Sequence, residues 1–327
     1  MGDPTVSSMV TAAPGGASTI AGIEEPVSSG AAAPEPRDKP RGLWGDAWRD
    51  LRRKPLFWIS ATIILLLLAM AAFPGLFTSV DPTHGDLSRS REGPSADAWF
   101  GYDVQGQDVF ARIIYGTRAS IVVSILATVG TALIGGAIGV LGGFRGGWAD
   151  ALLSRIADIF FGLPFLLGAI VILFTFNTPG SNKSTLNIEL LVVTALVVLS
   201  WPLSMRIMRS SVLSAKHADY VLAARALGAG SGRIIFRHLI PNCLAPLLVY
   251  STILIGSFIG AEATLAYLGV GLRSPVISWG IMIADSQEYI RVSPQLLLFP
   301  ASFVVIAVLS FVTLGEAVRE ALDPKLR

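Results

Sequence analysis

The chain has 327 residues, of which 52% are hydrophobic and 15% charged, and its mean hydropathy is +0.62. Soluble domains carry about 25% charged residues, so this composition indicates a membrane protein. The net charge of +2 is small and the basic residues are scattered over short segments, which argues against a nucleic-acid-binding protein.

The first 42 residues are dominated by Ala, Gly, Pro, Ser and Thr without apolar periodicity. Such a segment cannot bury enough surface to offset the entropy lost on ordering. It also lacks the basic start and apolar core of a secretory signal. We therefore expect residues 1–42 to form a disordered cytoplasmic tail.

Residues 43–116 are expected to hold an interfacial helix, the first membrane span and an external segment. Residues 43–55 mix tryptophans with cations, which is typical of a helix at the headgroup level; docking to a protein is the alternative. The segment from Asp81 to Tyr115 is rich in Pro, Gly and charged residues, so we expect an irregular external surface where a delivery protein could bind.

The apolar residues come in blocks of about 20, the length that crosses a bilayer as a helix. They predict an all-α, polytopic membrane protein with six transmembrane helices. The expected spans are Phe57 to Phe77, Ile121 to Phe144, Leu152 to Phe176, Leu190 to Met208, Leu244 to Gly269 and Leu296 to Gly315.

The distribution of Lys and Arg predicts the orientation. With the N-terminus inside, seven of the 25 fall outside and 18 fall on cytoplasmic segments, as the positive-inside rule requires. The seven are Arg89, Arg91, Arg112, Arg118, Lys183, Arg273 and Arg291. Both termini are therefore expected in the cytoplasm.

Two features of the second and third spans predict helix contacts. The second span is rich in glycine, which favours close helix packing, and its Gly135 and Gly139 could lie at a subunit contact. In the third span Asp158 follows Arg155 by three residues, a spacing that predicts an interfacial salt bridge on one helix face.

The polar segment 206–242 lies between two strongly apolar blocks and predicts a structured loop. Residues 219–227 are good helix formers, and residues 228–232 then end the helix with glycines that tolerate positive φ. Residues 233–240 restart helical periodicity, and Pro241 falls near the head of the next span, where a missing amide is tolerated. One face is expected to pack against a partner; it comprises His217, Tyr220, Val221, Ala224, Leu227 and Gly228.

Glu262 is the main candidate within the membrane, because a buried carboxylate is costly unless it is paired or wetted. It could face an aqueous translocation pathway or hydrogen-bond a neighbouring helix. No lysine follows a glycine, so the chain lacks the core of a nucleotide-binding loop, and the three scattered histidines give no metal-site spacing. The single cysteine, Cys243, allows no internal disulfide.

The order of residues in segment 206–242 resembles the cytoplasmic loop of ABC importer permeases. That motif runs Glu-Ala-Ala, three residues, Gly, nine residues, Ile, any residue, Leu-Pro. Ala223, Ala224, Gly228 and Pro241 match at this spacing, whereas Leu222, His238 and Ile240 replace its Glu, Ile and Leu. Residues 101–116, 261–269, 278–282 and 315–324 are similar to stretches of the C-type permease subunit of dipeptide and oligopeptide importers.

The resemblance implies the ABC type I importer permease fold, with residues 117–316 as a permease core of five spans and residues 317–327 as a cytoplasmic C-terminal tail. It implies an ATPase-coupling site, which comprises Tyr220, Ala223, Ala224, Arg225, Gly228, Ala229, Arg233, Arg237 and Pro241. Glu262 is the candidate for the translocation pathway.

The implied setting is a bacterial inner membrane. The implied partners are a homologous permease, two ATP-binding subunits and an extracellular substrate-binding lipoprotein or periplasmic protein, with peptide as substrate and no nucleic acid. The chain itself is expected to bind no cofactor and to be no enzyme, with ATP and Mg used by the partner subunits. Nickel or haem instead of peptide, an ion-coupled secondary transporter, and a scaffold or channel are the alternatives.

Overall fold

The computed structural model describes residues 43–176 and 184–322, which fold almost entirely as helices joined by turns. The expected tail over residues 1–42 lies outside the described residues. The helices are α1 (Leu43–Arg52), α2 (Pro55–Ala72), α3 (Val109–Arg145), α4 (Gly147–Phe161), α5 (Phe165–Phe176), α6 (Thr185–Ala215), α7 (Asp219–Ala226), α8 (Ser231–Arg233), α9 (Ile240–Tyr267), α10 (Trp279–Ser286) and α11 (Gln295–Leu322).

Five helical stretches are long and apolar enough to cross a membrane, and a bent pair of helices makes a sixth if it counts as one span. The five are α2, α3, α6, the continuous stretch Ser231–Tyr267 and α11, and the bent pair is α4 with α5. The prediction of an all-α polytopic membrane protein is confirmed.

The span predicted over residues 152–176 consists of two helices, which pass as one span only when the bent pair is taken together. α4 ends at Phe161, α5 begins at Phe165, and the two are bent by 86°. Gly162 and Pro164 lie in the break. Proline lacks an amide hydrogen and disfavours the helical conformation of the residue before it, so this short sequence interrupts the helix instead of merely kinking it.

The second span begins twelve residues before its predicted start at Ile121. α3 starts at Val109, where the Asp108 side chain caps it by accepting a hydrogen bond from the Ala111 N–H at 2.7 Å. Arg112 and Arg118 made this stretch look external, but Ile113 and Ile114 are fully buried. The boundary expected at residue 116 therefore falls inside a helix.

Glycine allows α3 and α6 to pack backbone against backbone. A Cβ atom at Gly135 would lie 2.5 Å from the Trp201 carbonyl oxygen, and one at Gly139 would lie 2.5 Å from that of Met205. A Cβ atom at Gly143 would likewise lie 3.0 Å from the Arg209 carbonyl oxygen. The glycine pair proposed for a subunit contact is thus occupied by a contact within the chain.

The described chain has two ends, because successive spans run in opposite directions. We call "cap end" the end formed by residues 73–108 and 268–294, and "loop end" the end formed by residues 216–230. At the loop end Leu51 of α1 and Phe57 of α2 pack against Ala317 and Ala321 in the last turns of α11. Lys54, which lies between α1 and α2, forms an ion pair with Glu320 of α11. Residues 317–322 of the expected C-terminal tail are thus helical, and residues 323–327 lie outside the described part.

We expect Gly139→Ala to lower the free energy of unfolding by about 1–3 kcal/mol, because its methyl group would force α3 away from α6. The matched control is Gly260→Ala, whose Cβ would meet only a Val308 methyl at 4.0 Å. The sole cysteine, Cys243, is 2% exposed, so a thiol-reactive dye in detergent reports unfolding. Equal unfolding midpoints for the two variants would show that the close packing of α3 on α6 does not stabilise the protein.

Candidate functional site

The loop end begins with two contacts that fasten the end of α6. Arg209 donates to both carboxylate oxygens of Asp150 on α4, with Nη2 to Oδ2 at 2.6 Å. The Lys216 ammonium donates to the Gly143 carbonyl oxygen at the end of α3, at 2.9 Å. A bidentate charged pair fixes direction as well as distance, so α6 reaches the loop in a defined position.

α7 is seated on its own chain by the apolar residues of its inner face. Val221 is fully buried and Ala224 is 9% exposed. Val221 belongs to a cluster with Met208 and Val212 of α6 and with Ile234, Leu239, Cys243 and Leu247 of the following helix. The short helix therefore moves with α6 and α9 and does not hang as a free loop.

The turn after α7 is a Schellman motif. The Ala229 N–H donates to the Ala224 carbonyl at 3.0 Å, and the Gly228 N–H donates to that of Arg225 at 2.9 Å. Gly228 has φ +80°, the left-handed conformation that this motif requires. The predicted glycine turn is confirmed at Gly228; Gly230 has φ −69°.

The helix after the turn runs into the next span without a break. α8 passes through a π-helical segment, Ile234–Leu239, into α9, and together they form one helix over Ser231–Tyr267. Pro241 follows that wider segment. Since proline has no N–H and its ring crowds the carbonyl four residues earlier, a π segment accommodates it without ending the helix.

The nine predicted coupling residues divide between the chain's interior and its surface. Ala224 is buried, and Ala229 is half-buried against the apolar cluster below α7. The others are exposed, namely Tyr220, Ala223, Arg225, Gly228, Arg233, Arg237 and Pro241. The predicted packing face divides likewise, with Val221 and Ala224 inward while Leu227 is 88% exposed.

The predicted coupling site omitted Leu222, Leu227 and Phe236, although Leu227 was on the predicted packing face. Phe236 is 74% exposed, and Tyr220 and Leu222 are 41% and 48% exposed. We call Tyr220, Leu222, Leu227 and Phe236 the docking surface. Phe236 could have been found as a large apolar residue next to Arg237 in the polar segment 206–242.

The docking surface carries a positive rim. Arg225, Arg233 and Arg237 are exposed, and within residues 43–176 and 184–322 none of them forms an ion pair with its own chain. Desolvation raises the pKa of Tyr220 above its usual value, so its hydroxyl stays a hydrogen-bond donor at neutral pH.

Glu262 lies at the opposite end of α9 and is fully buried. Its Oε1 accepts from the Ser278 hydroxyl at 2.9 Å and its Oε2 accepts from the Ser120 hydroxyl at 3.1 Å. Ser120 in turn accepts from the Trp279 N–H at 3.3 Å, and Ser278 caps α10 by accepting from the Ile281 N–H at 3.2 Å. In this conformation the carboxylate joins α3, α9 and α10, which favours the structural alternative. Its role in a translocation pathway stays a prediction.

The predicted partner of Asp158 is wrong. Asp158 pairs with Arg206 of α6, not with Arg155 of its own helix, and the Arg206 guanidinium also lies 3.9 Å from the centre of the Phe161 ring. A guanidinium that contacts both a carboxylate and an aromatic ring is stabilised more than one that contacts only a carboxylate on the surface of its own helix. The pair therefore ties α4 to α6.

Comparison with protein families identifies two matching regions. Residues 135–327 match the model of the binding-protein-dependent transport system inner membrane component. Residues 42–94 match the N-terminal TM domain of oligopeptide transport permease C. The chain belongs to the binding-protein-dependent transport permease family.

Three curated relatives align with nearly the whole length of this permease. It is 35% identical to a dipeptide transport system permease of Alkalihalophilus pseudofirmus, over 90% of this chain and 95% of the relative. It is 38% identical to the oligopeptide transport system permease of Bacillus subtilis, over 88% and 92%. It is 33% identical to a glutathione transport system permease of Pectobacterium atrosepticum, over 91% and 96%.

A solved structure supports the fold. The permease matches an inward-facing structure of the MetNI methionine ABC transporter with a TM-score of 0.51 and 21% identity, over 65% of this chain and 96% of that chain. The expected ABC importer permease fold is confirmed.

Family membership settles the general class of the protein. It is a multi-pass membrane permease subunit of a bacterial ABC importer, a family that is not itself catalytic, and it implies ATPase and binding-protein partners. The ion-coupled transporter and the passive scaffold are therefore not supported.

We expect Glu262→Ala to destabilise the permease strongly and Glu262→Gln to do so much less. Alanine leaves the Ser120 and Ser278 hydroxyls without their acceptor, at about 1–3 kcal/mol per orphaned group, whereas an amide keeps one acceptor and adds a donor. Labelling of Cys243 during heating measures the effect, with the exposed Glu316→Ala as control. If glutamine were as damaging as alanine, the charge itself would be required.

Proposed function

We propose that this permease forms half of the pathway of an ATP-driven peptide importer and transmits ATPase motion through α7. Peptide is the proposed substrate because the three curated relatives are permeases for dipeptides, oligopeptides and glutathione. Those names favour peptides over the nickel and haem alternatives.

The proposed assembly contains a homologous partner permease, two ATP-binding subunits and an extracellular binding lipoprotein or periplasmic protein. The loop end faces the cytoplasm in this proposal, because 18 of the 25 Lys and Arg residues fall on the segments that the six-span arrangement puts on the same side. ATP and Mg are used by the ATP-binding subunits, and both termini of the permease are cytoplasmic in the inner membrane.

The docking surface carries this proposal. Leu227 and Phe236 leave large apolar side chains in water at a polar end of the chain, and covering each would contribute roughly 1.5–3 kcal/mol. Their arginine rim would add charge-assisted hydrogen bonds to carboxylates of the partner. An apolar centre with a cationic rim suits a groove on an ATP-binding subunit.

The contacts below α7 give it the stiffness that a lever requires. Val221 packs in one cluster with residues of α6 and of the helix Ser231–Tyr267, so displacing α7 displaces both. That helix has 37 residues, which spans roughly 55 Å at 1.5 Å per residue. A push at the docking surface thus reaches Glu262, where α9 is joined to α3 and α10.

We expect Gly228→Val to lower peptide uptake and peptide-stimulated ATP hydrolysis at least fivefold. A β-branched residue is strongly disfavoured at φ +80°, so valine would change the direction of the chain after α7. Gly230→Val is the matched control, because a Cβ at either glycine meets nothing within 4 Å and only Gly228 has positive φ. The assay uses the complete complex in proteoliposomes, and a defect of equal size in both variants would contradict the role of the turn.

We expect Leu227→Asp to abolish co-purification of the ATP-binding subunits, because a carboxylate replaces the apolar centre of the docking surface. Leu87→Asp is the control, since Leu87 is 75% exposed at the cap end. Pull-down of the tagged permease in mild detergent measures the bound ATPase. Undiminished binding by Leu227→Asp would place the ATPase elsewhere, and a wild-type chain that transports peptide without ATPase subunits would overturn the proposed function.

A further inference from the structure

A cavity of about 310 Å³ opens at the cap end between the start of α3, the end of α10 and the start of α11. Val109, Met282 and Leu296 form its apolar floor, and Asp103, Arg112, Asp285 and Glu288 contribute charges to its wall. Its volume is at the lower limit for small-ligand sites. It therefore suits one end of an extended molecule and not the whole of it.

Two residues of the 101–116 motif build one wall of this cavity. Asp103 Oδ1 accepts from the backbone N–H groups of Gln105 and Gln107, at 2.8 and 2.9 Å. Its Oδ2 accepts from Arg112 Nη1 at 2.8 Å. Asp103 is thus fully engaged, and its charge is balanced by Arg112.

Arg112 keeps hydrogen-bonding capacity after pairing with Asp103. Only 9% of the residue is exposed, its Nε is covered by the protein, and its Nη2 forms no hydrogen bond with the described residues. Because Arg112 lines the cavity, its guanidinium can donate a hydrogen bond to a bound acceptor.

The lining also contains two carboxylates that have no ion-pair partner. Within the described chain neither Asp285 nor Glu288 forms a salt bridge. Desolvation raises the pKa of Asp285, while Arg112 lowers it and Asp103 raises it, so the carboxylate lies within electrostatic reach of both. The cavity thus offers carboxylates to a cation and the Arg112 guanidinium to an acceptor.

We propose that this cavity binds the N-terminal residue of a peptide on the side where substrate arrives. A peptide N-terminus carries an ammonium group and, three bonds away, a carbonyl oxygen, so it supplies a cation and an acceptor together. Its first side chain then meets Val109 and Met282. A lysine side chain of a docking protein offers the ammonium alone, and a metal ion offers no acceptor.

The proposal rests on the proposed peptide substrate and is tested separately from it. The probe is trialanine with a fluorophore at its C-terminus, with either a free or an acetylated N-terminus. Equilibrium binding is measured on the complete transporter in nanodiscs without the binding protein. We expect acetylation to weaken binding at least tenfold. We expect Asp285→Asn to weaken binding of the free-amine probe to the same extent. The acetylated probe with Asp285→Asn should bind less than twofold more weakly than with either change alone.

The control is Asp97→Asn, a carboxylate at the same end whose side chain is 80% exposed and which lies outside the cavity lining. It should change affinity less than twofold. Glu288→Gln is the second test variant if Asp285→Asn unfolds, which Cys243 labelling reveals. Equal affinity for both probes, or unchanged affinity in both cavity variants, overturns the proposal.

Two further outcomes separate this proposal from the proposed function. If the binding protein's peptide still stimulates ATP hydrolysis while acetylation has no effect on binding, the importer assignment stands and the cavity proposal fails. If the cavity variants weaken capture of the binding protein but leave probe binding unchanged, the site docks a protein and the proposal fails as well. If the permease purifies without ATP-binding subunits but still binds the free-amine probe more tightly than the acetylated one, the importer assignment fails and the cavity proposal stands.

Discussion

The packing of α3 on α6 through glycine is the contact on which the rest of the permease depends. Helices surrounded by lipid gain little from the hydrophobic effect between them, so close approach of their backbones supplies much of the attraction. Gly135 and Gly139 remove the side chains that would keep α3 away from α6. Because the Gly143 carbonyl then meets Lys216, the same contact fixes the end of α6 and with it the base of the loop.

The permease joins its two ends through one helix. The π segment over Ile234–Leu239 lets the stretch Ser231–Tyr267 pass Pro241 without ending, so Phe236 of the docking surface and Glu262 belong to one helix. At one end the attachment is apolar and partly open to a partner. At the other it consists of buried hydrogen bonds from Ser120 and Ser278, which hold their geometry more strictly than apolar contacts do.

The cap end shows how one local motif organises a large irregular region. Asp103 accepts backbone N–H groups, Gly106 adopts a positive φ, and Asp108 caps α3. The same motif also brings Arg112 to the cavity wall. A segment with little regular structure is therefore shaped by side-chain hydrogen bonds, which explains why apolar periodicity did not identify its limits.

Local patterns were sufficient for several features. Blocks of about 20 apolar residues required membrane helices, and Gly228 beside a run of helix formers required a turn, because both follow from neighbouring residues alone. The Ala223-Ala224, Gly228 and Pro241 spacing likewise indicated the family. By contrast, apolar windows placed the start of α3 too late, since Arg112 and Asp108 resemble loop residues until their partners are known.

The sequence by itself determined the class of the protein, the approximate spans and the helix-turn-helix structure of the polar loop 206–242, because hydropathy, helix-ending glycines and motif spacing are properties of short stretches. Only the tertiary structure decided which helix Asp158 pairs with, that the Gly135 and Gly139 pair faces α6, that Glu262 joins three helices, and that Leu227 and Phe236 stay exposed. Each of these depends on residues far apart in the chain, and which of them meet is set by helix packing that no local pattern encodes.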